Sequence, residues 1–287
     1  MKRGYLYAAV SAVLFGSSGI IIKIAFSEGM DSMSIMLLQY MVSIPVMFFA
    51  MAIIDRDTLR INKRNLCHTA VLGIVGNTLM TVFYYGAFNY LDVSVVTILL
   101  YTYPIMVFLY SCIIEGNRIG FSKIFALAAA FTGCFLSLGL AGRNIAFSAK
   151  GCIFGLLSAL FYAFMNIYSE KNMKSLNPLT INFYSIIFSF LFLLVFVSPK
   201  TVLERELNVK LGVCIVILAV FCEIIPLTLL YAAIKDIGAL KVSIVENLEI
   251  PTAMLLSFFV LGESVTLIQV LGAVLVVYSV CSIRKID

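Results

Sequence analysis

The sequence predicts an all-α, polytopic membrane protein of about ten transmembrane helices, arranged as two inverted five-helix repeats around a central cavity. Three observations support this fold class: an extreme apolar composition, a series of long apolar runs, and a repeat of the first half in the second. Of the 287 residues, 62% are hydrophobic and 12% are charged, and the mean hydropathy is +1.07. Because a soluble domain carries roughly 25% charged residues, we expect lipid to be the solvent.

The apolar runs are separated by short polar segments, which divide the chain into spans. A helix needs about 20 apolar residues to cross the hydrocarbon core of a bilayer, and each run has roughly this length. The predicted spans are 5–26, 33–54, 66–88, 93–114, 121–140, 150–170, 179–198, 211–234, 239–260 and 265–283. The breaks after 88 and after 234 are only four residues long, so these two boundaries rest on few polar side chains.

The distribution of Lys and Arg predicts the orientation, because cytoplasmic loops carry an excess of basic residues. With the N-terminus inside, fourteen basic residues fall in the inner segments. The outer loops hold five, namely Arg143, Lys150, Lys200, Arg205 and Lys210. We therefore expect a multi-pass protein of the cytoplasmic (inner) membrane with both termini in the cytoplasm.

The second half of the chain repeats the first at an offset of 146 or 147 residues. The identities include Gly4 with Gly151, Ser11 with Ser158, Ile20 with Ile167, Tyr85 with Tyr231 and Pro104 with Pro251. The repeat predicts two five-helix units, residues 1–145 and 146–287. Since five is odd, the second unit enters the membrane inverted, an arrangement typical of secondary transporters with a site near the midplane.

Polar side chains inside the spans are the best candidates for that site. An ionisable group at the bilayer centre costs on the order of 2.5–3.5 kcal/mol, and such groups usually face a cavity or a partner. Glu223 lies in the middle of span eight, and its repeat counterpart in span three is Asn77. Both are predicted to face the cavity. The alternative is that each forms a hydrogen bond to a neighbouring helix.

Span nine contains Glu246, Asn247 and Glu249. Glu246 and Glu249 are three residues apart, so they are expected to share a helix face. Two carboxylates in a low dielectric should not both be charged, and at least one is expected to be protonated unless a cation lies between them. All three are candidates for binding substrate or coupling to protons. The alternative for Glu249 is a structural role beside the kink at Pro251.

Asn166 in span six and the tyrosines Tyr84, Tyr101 and Tyr162 are further candidates. A tyrosine can stack on a ligand or form a hydrogen bond with it, and the alternative for each is packing or interface anchoring.

Pro104 and Pro251 fall near the centres of spans four and nine. A proline at such a position removes a backbone hydrogen bond and kinks the helix. Matched kinks in corresponding helices predict hinges for a rocking motion.

Other kinds of site are not predicted. The seven cysteines include no CxxC pair and His68 is the only histidine, so no metal site is expected. The sequence contains no GxxxxGK[ST], HExxH or GxSxG motif. No loop interleaves basic and aromatic residues. We therefore expect no cofactor, no catalytic residues and no nucleic-acid partner.

Three segments carry a resemblance to a known family. Span one reads SAVLFGSSGIIIKIAF, with Gly16 and Lys23 in matching places; Glu115 follows Pro104 in span four; and span nine reads ENLEIPTAMLLSFFVLGE. Together with the duplication, these segments are similar to the EamA-type members of the drug/metabolite transporter superfamily. The resemblance implies ten helices around a central cavity, cytoplasmic termini, and export or uptake of amino acids and related metabolites.

The charges of the candidate site refine this expectation. The glutamates in the spans have no central cation beside them except Lys23, which favours a substrate with a positive amino group and coupling to protons. The chain is thus expected to be a secondary transporter of an amino acid, amine or related metabolite, with export as the favoured direction, and not an enzyme. The alternatives are uptake of a cationic or nucleoside-like metabolite by the same fold, a lipid scramblase, or a membrane-embedded enzyme.

Overall fold

The computed structural model describes residues 2–116, 120–140, 148–198 and 208–285, and in these ranges all regular structure is helical. The main helices are α1 Lys2–Ser27, α2 Ser32–Ile54, α3 Lys63–Ala87, α4 Val93–Ile113, α5 Phe121–Ser137, α6 Ala149–Asn172, α7 Pro178–Leu193, α8 Val209–Ile237, α9 Ala239–Leu261 and α10 Leu267–Lys285. A short 3-10 helix, Arg56–Leu59, follows α2. The prediction of an all-helical fold is confirmed.

Among the described residues, 7 helices are long and apolar enough to cross a membrane: α1 to α4, α6, α8 and α9. The other three, α5, α7 and α10, are shorter apolar helices. The outer surfaces of the long and the short helices carry large exposed apolar side chains, such as Ile53 in α2, Phe121 in α5 and Phe259 in α9. Such surfaces suit a lipid solvent, and the chain is a multi-pass membrane protein.

The structure shortens some of the predicted spans. The clearest difference is α7, which ends at Leu193 and not at 198. The proposed boundary between the two units, at 145/146, lies outside the described residues, as do Arg118, Arg143, Lys200 and Arg205, four of the residues used to predict the orientation.

Four helices contain an irregular turn, and these turns occur at corresponding places in the two halves. π-Helical turns occupy Leu72–Thr78 within α3 and Val220–Ile224 within α8. The α4 helix is interrupted between Leu100 and Tyr103, and α9 tightens into a 3-10 turn at Glu246–Leu248. The prolines Pro104 and Pro251 follow the second pair of breaks and lack the N–H that would continue the helix.

The two halves pack into one another and do not form separate cores. The α1 helix packs along α8 and α9, α3 and α4 pack on α6, and α5 packs on α10. Two glycines permit the last contact: a Cβ atom added to Gly133 would lie 2.7 Å from the carbonyl oxygen of Gly272. Small residues at a crossing let helix backbones approach closely in a membrane protein.

Ion pairs between helix ends define two ends of the bundle. At one end, Lys23 of α1 pairs with Glu263, which follows α9, at 2.6 Å. At the other end, Glu115, which follows α4, pairs with Lys171 of α6. We call the first the mouth end and the second the closed end. Odd-numbered helices run from the closed end to the mouth end, and even-numbered helices run back.

Candidate functional site

A cavity of about 960 Å³ lies between the helices and reaches the surface at the mouth end. Residues of α1, α3, α4 and α9 form most of its wall, with further contributions from α2, α6, α8 and the ends of α5 and α10. At the mouth it is bordered by Phe26, Phe88 and Val93. This volume is in the range of small-molecule binding sites.

Two carboxylates face the cavity. Glu223 of α8 and Glu249 of α9 both line it and are half-buried. The amide Nε2 of Gln39 donates a hydrogen bond of 3.1 Å to Oε2 of Glu223. The Tyr101 side chain lies beside the Glu249 carboxyl. Both groups therefore offer acidic oxygens to a solute inside the membrane.

The cavity lining also includes an amide side chain, that of Asn77. Asn77 lies in the π-helical turn of α3, and its Nδ2 has no hydrogen-bond partner among the described residues. Its Oδ1 accepts a hydrogen bond of 3.5 Å from Tyr231. The π-turn of α8 carries Glu223, so each of the two irregular turns places one polar residue in the lining of the same cavity. π-Turns inside helices are frequent at functional sites.

Tyrosines form much of the remaining wall. The predicted candidates Tyr84, Tyr101 and Tyr162 all line the cavity. The hydroxyl of Tyr84 lies 3.2 Å from Oγ1 of Thr97, and the rings of Tyr103 and Tyr162 are 4.3 Å apart. Aromatic walls with polar tips suit an amphipathic ligand.

Sequence reasoning did not single out two further tyrosines of the wall, Tyr40 and Tyr85. Tyr85 was available from the repeat, since it matches Tyr231. For Tyr40 the only signal was its position next to Gln39, a polar residue in an apolar span.

Three predicted residues lie outside the cavity lining. Glu246 is 1% exposed, and neither of its carboxylate oxygens has a hydrogen-bond partner among the described residues. The side chain of Asn247 donates to the carbonyls of Ser243 and Ile244 and accepts from Cys134.

Asn166 is fully buried, and its amide donates to the Tyr162 carbonyl at 2.9 Å. Like Glu246 and Asn247, it lies nearer the closed end than the lining residues of its own helix. The structure thus brings six of the nine predicted binding residues to one cavity and buries three beneath it.

The mouth end is polar and charged. Lys23 and Glu263 line the cavity there, with side chains that are 61% and 50% exposed. In the loop after α1, Glu28 accepts hydrogen bonds from Lys210 and Asn208, which hold the pKa of its carboxyl below the usual range.

The closed end is sealed by polar contacts. A hydrogen bond from Lys171 holds the pKa of Glu115 below its usual range. The Nδ1 of His68 lies 2.7 Å from the Tyr168 hydroxyl, and Glu170 accepts a hydrogen bond from the backbone N–H of Ala239. These contacts join α3, α6 and α9 below the cavity.

Comparison with known proteins places this arrangement in context. The sequence model of the EamA-like transporter family matches the chain twice, over residues 2–139 and 149–284. An uncharacterized transporter of Bacillus subtilis (strain 168), YcbK, is 24% identical over 94% of this chain and 88% of its own length. An uncharacterized transporter of Archaeoglobus fulgidus is 26% identical over 98% of this chain and 96% of its own.

A similar fold has been solved. One crystal structure, described only as that of a protein, has a TM-score of 0.81 to this chain at 13% sequence identity and covers 100% of this chain and 99% of its own. At that identity the likeness concerns the fold alone.

Proposed function

Because the chain belongs to the EamA-like transporter family, we propose that it is a secondary transporter that moves a small metabolite across the cytoplasmic membrane by alternating access. This proposal is supported by the cavity, which opens only at the mouth end, since such a site is reached from one side of the membrane at a time. The names of the relatives point to a membrane transporter and not to an enzyme.

The architecture proposed for this function has ten membrane-crossing helices in two inverted units, residues 1–145 and 146–287. Support comes from the double match to one family model and from the paired π-turns and paired proline breaks. The excess of basic residues in alternate loops supports cytoplasmic termini. In this orientation the mouth end faces outward.

The proposed substrate carries a positive amino group. The observation that carries this proposal is the facing of Glu223 and Glu249 into one cavity whose only lining cation, among the described residues, is Lys23 at the mouth, already paired with Glu263. A buried carboxylate needs a compensating charge or hydrogen bonds. An ammonium group supplies both, while tyrosine rings contact the apolar part. An amino acid or an amine meets this description.

Export coupled to protons extends the proposal. A proton taken up at Glu246 when the substrate leaves the cavity would link inward movement of the proton to outward movement of the substrate. Glu246, Asn247 and Asn166, which lie below the cavity, are assigned to coupling and not to direct substrate contact. Pro104 and Pro251 are proposed as the hinges.

The test is efflux from proteoliposomes loaded with a labelled mixture of amino acids and amines. We expect Glu249→Gln and Glu223→Gln to lower efflux of the transported compound about tenfold or more, because each removes a charge-assisted contact. Glu28→Gln removes the same charge from a loop outside the cavity and should leave efflux unchanged. Efflux that survives both cavity variants would overturn the proposed binding site.

Coupling is measured separately. We expect Glu246→Gln to keep the exchange of labelled for unlabelled substrate but to lose the acceleration of efflux by a proton gradient. If a proton gradient does not change the efflux rate of the unmodified protein, the coupling proposal is wrong, but the proposal that the protein is a transporter still stands.

The alternatives differ in readily measured ways. Uptake of a cationic or nucleoside-like metabolite predicts faster flux in the opposite direction under a defined gradient. A scramblase predicts movement of labelled lipid between leaflets without flux of any small solute. The described residues form no cluster of three or more His, Cys, Asp or Glu side chains able to hold a metal ion, so a membrane-embedded enzyme would have to work without such a centre.

A further inference from the structure

The contact that closes the inner side of the cavity joins α6 to the hairpin of α8 and α9. Glu170, near the end of α6, accepts a hydrogen bond of 3.0 Å from the N–H of Ala239, the first residue of α9. Lys235, near the end of α8, donates to the carbonyl of Leu176 in the loop after α6. The hairpin is thereby fastened to the end of α6.

The repeat gives each of these residues a counterpart at the mouth end. The offset of 147 that relates α1 to α6 sets Lys23 opposite Glu170. The offset of 146 that relates the α3–α4 hairpin to the α8–α9 hairpin sets Asp92 and Val93 opposite Gly238 and Ala239. The first helix of each half should therefore meet a hairpin in the same way.

One contact at the start of these helices obeys this correspondence. A Cβ atom added to Gly4 would meet Asp236 and Ile237, and one added to Gly151 would meet Tyr90 and Leu91. Gly4 and Gly151 are counterparts, and so are the two loop pairs. The correspondence derived from the sequence thus holds in space where both contacts are formed.

At the mouth end the second contact is not formed. Lys23 and Val93 both line the cavity mouth, and α1 makes no extended contact with the described parts of α3 or α4, whereas α6 packs on both α8 and α9. Asp92 is exposed and caps α4 without a side-chain hydrogen bond. Lys23 is held instead by Glu263.

We propose that, when the mouth closes, Lys23 leaves Glu263 and pairs with Asp92, so that this exchange of partners forms the outer gate of the transport cycle. The inference rests on the proposed function, because it requires alternating access. At the closed end a carboxylate on α6 meets the start of α9; at the mouth a cation on α1 would meet a carboxylate at the start of α4. Exposed ion pairs contribute little net stability, so Lys23 can exchange one for the other.

Disulfide trapping tests this gate without knowledge of the substrate. The variant Lys23→Cys, Asp92→Cys is oxidised in proteoliposomes. The control is Lys23→Cys, Tyr90→Cys, because Tyr90 lies in the same loop but contacts Phe154 of α6. Both are made in a Cys152→Ala background, since Cys152 adjoins Gly151, which contacts that loop. A disulfide requires Cα atoms within about 7 Å, which the closed mouth supplies only for the first pair.

We expect a disulfide in the Asp92 pair and not in the Tyr90 pair. Oxidation should abolish the efflux that the reduced Asp92 variant retains, and dithiothreitol should restore that level. The gate is overturned if the Asp92 pair forms no disulfide above the level of the single variants, or forms one while efflux continues. A disulfide without efflux of any compound before oxidation supports the gate and counts against the proposed substrates. Efflux without a disulfide counts against the gate and supports the proposed substrates.

Discussion

Asn77 and Glu223 occupy corresponding positions in the two halves, and each lies in a π-turn that borders the same cavity. The unpaired Nδ2 of Asn77 is a donor, whereas Glu223 accepts. Related helices thus offer complementary groups to one ligand. A zwitterion such as an amino acid would place its ammonium group on a glutamate and its carboxylate near Asn77.

This arrangement predicts a selective effect of Asn77→Ala. The variant should raise the KM for an amino acid about tenfold, because a hydrogen bond to a charged group is worth about 1.5–3 kcal/mol. The KM for the amine that lacks the carboxylate should change little. The measurement is concentration-dependent efflux of the two compounds through both proteins, and equal losses for both would contradict the assignment of Asn77 to the carboxylate.

Candidate residues of the site could be predicted from the sequence, but their depth relative to the cavity floor could not. Polar side chains within apolar spans marked Glu223, Glu249 and Asn77, which all line the cavity. The three-residue spacing of Glu246 and Glu249 predicted that they share a helix face. Yet Glu246 lies one turn nearer the closed end, where the helices meet and leave no space. Helical periodicity predicts a face and carries no information on where a cavity ends.

At the scale of the helix, the contact between α1 and α9 positions Glu249. A Cβ atom added to Gly16 would lie 2.6 Å from the Glu249 carbonyl oxygen and 2.9 Å from the Thr252 side chain. Only glycine allows this approach. Gly16 therefore acts on the site through the backbone of α9.

Gly16→Ala should consequently lower both stability and transport. Overpacking of a tight contact costs about 1–3 kcal/mol, and displacement of α9 moves Glu249. The measurement is the Tm of the purified protein together with its efflux rate. Gly212→Ala in α8 is the matched control, since no atom lies within 4 Å of a Cβ atom at that position and the residue is outside the cavity lining. An equal loss in both variants would show that the contact with α9 is unimportant.

The helices themselves were largely predictable, because long apolar runs in a chain that is 62% hydrophobic permit little else. Their irregular turns were only half visible. Proline marked the breaks in α4 and α9, whereas no residue type announces the π-turn of α3, which contains no proline. That turn packs against α6 and α7, and such long-range contacts cannot be inferred from the sequence of one helix.

At the scale of the whole molecule, the Glu115–Lys171 pair holds the closed end. Because the pKa of Glu115 is lowered by Lys171, the contribution of the pair is present above the ordinary carboxyl pKa and is lost only as the pH falls through the lowered value. The Glu115–Lys171 pair itself should therefore not respond to pH changes near neutrality.

Glu115→Gln should increase opening of the closed end by a factor of about two to five, the range for a partly exposed ion pair. The increase should be the same at about pH 6 and about pH 8. Labelling of Ala239→Cys, a position that is 1% exposed here, measures the opening. Arg60→Gln, which removes an exposed pair with Asp57, is the control. A pH-dependent difference would contradict the role given to Glu115.

The predicted resemblance to the EamA-like family is confirmed for the whole chain by the two matches. The resemblance could be predicted from the sequence, because the repeat leaves identical residues at a fixed offset. Which end is open could not be predicted, since the two halves carry similar contacts and the choice depends on small differences in free energy between arrangements.

The crossing of α5 and α10 at Gly133 and Gly272 has a consequence for the surrounding lipid. The α5 helix has 17 residues, which at 1.5 Å per residue span about 26 Å, less than the roughly 30 Å of hydrocarbon in an average bilayer. The apolar part of its partner, Leu267–Ile283, is equally short. The flank formed by these two helices is thus thinner than an average bilayer, and acyl chains beside it would compress or tilt. Lipids with shorter chains would gather there, and the chain itself would partition towards thinner regions of the membrane.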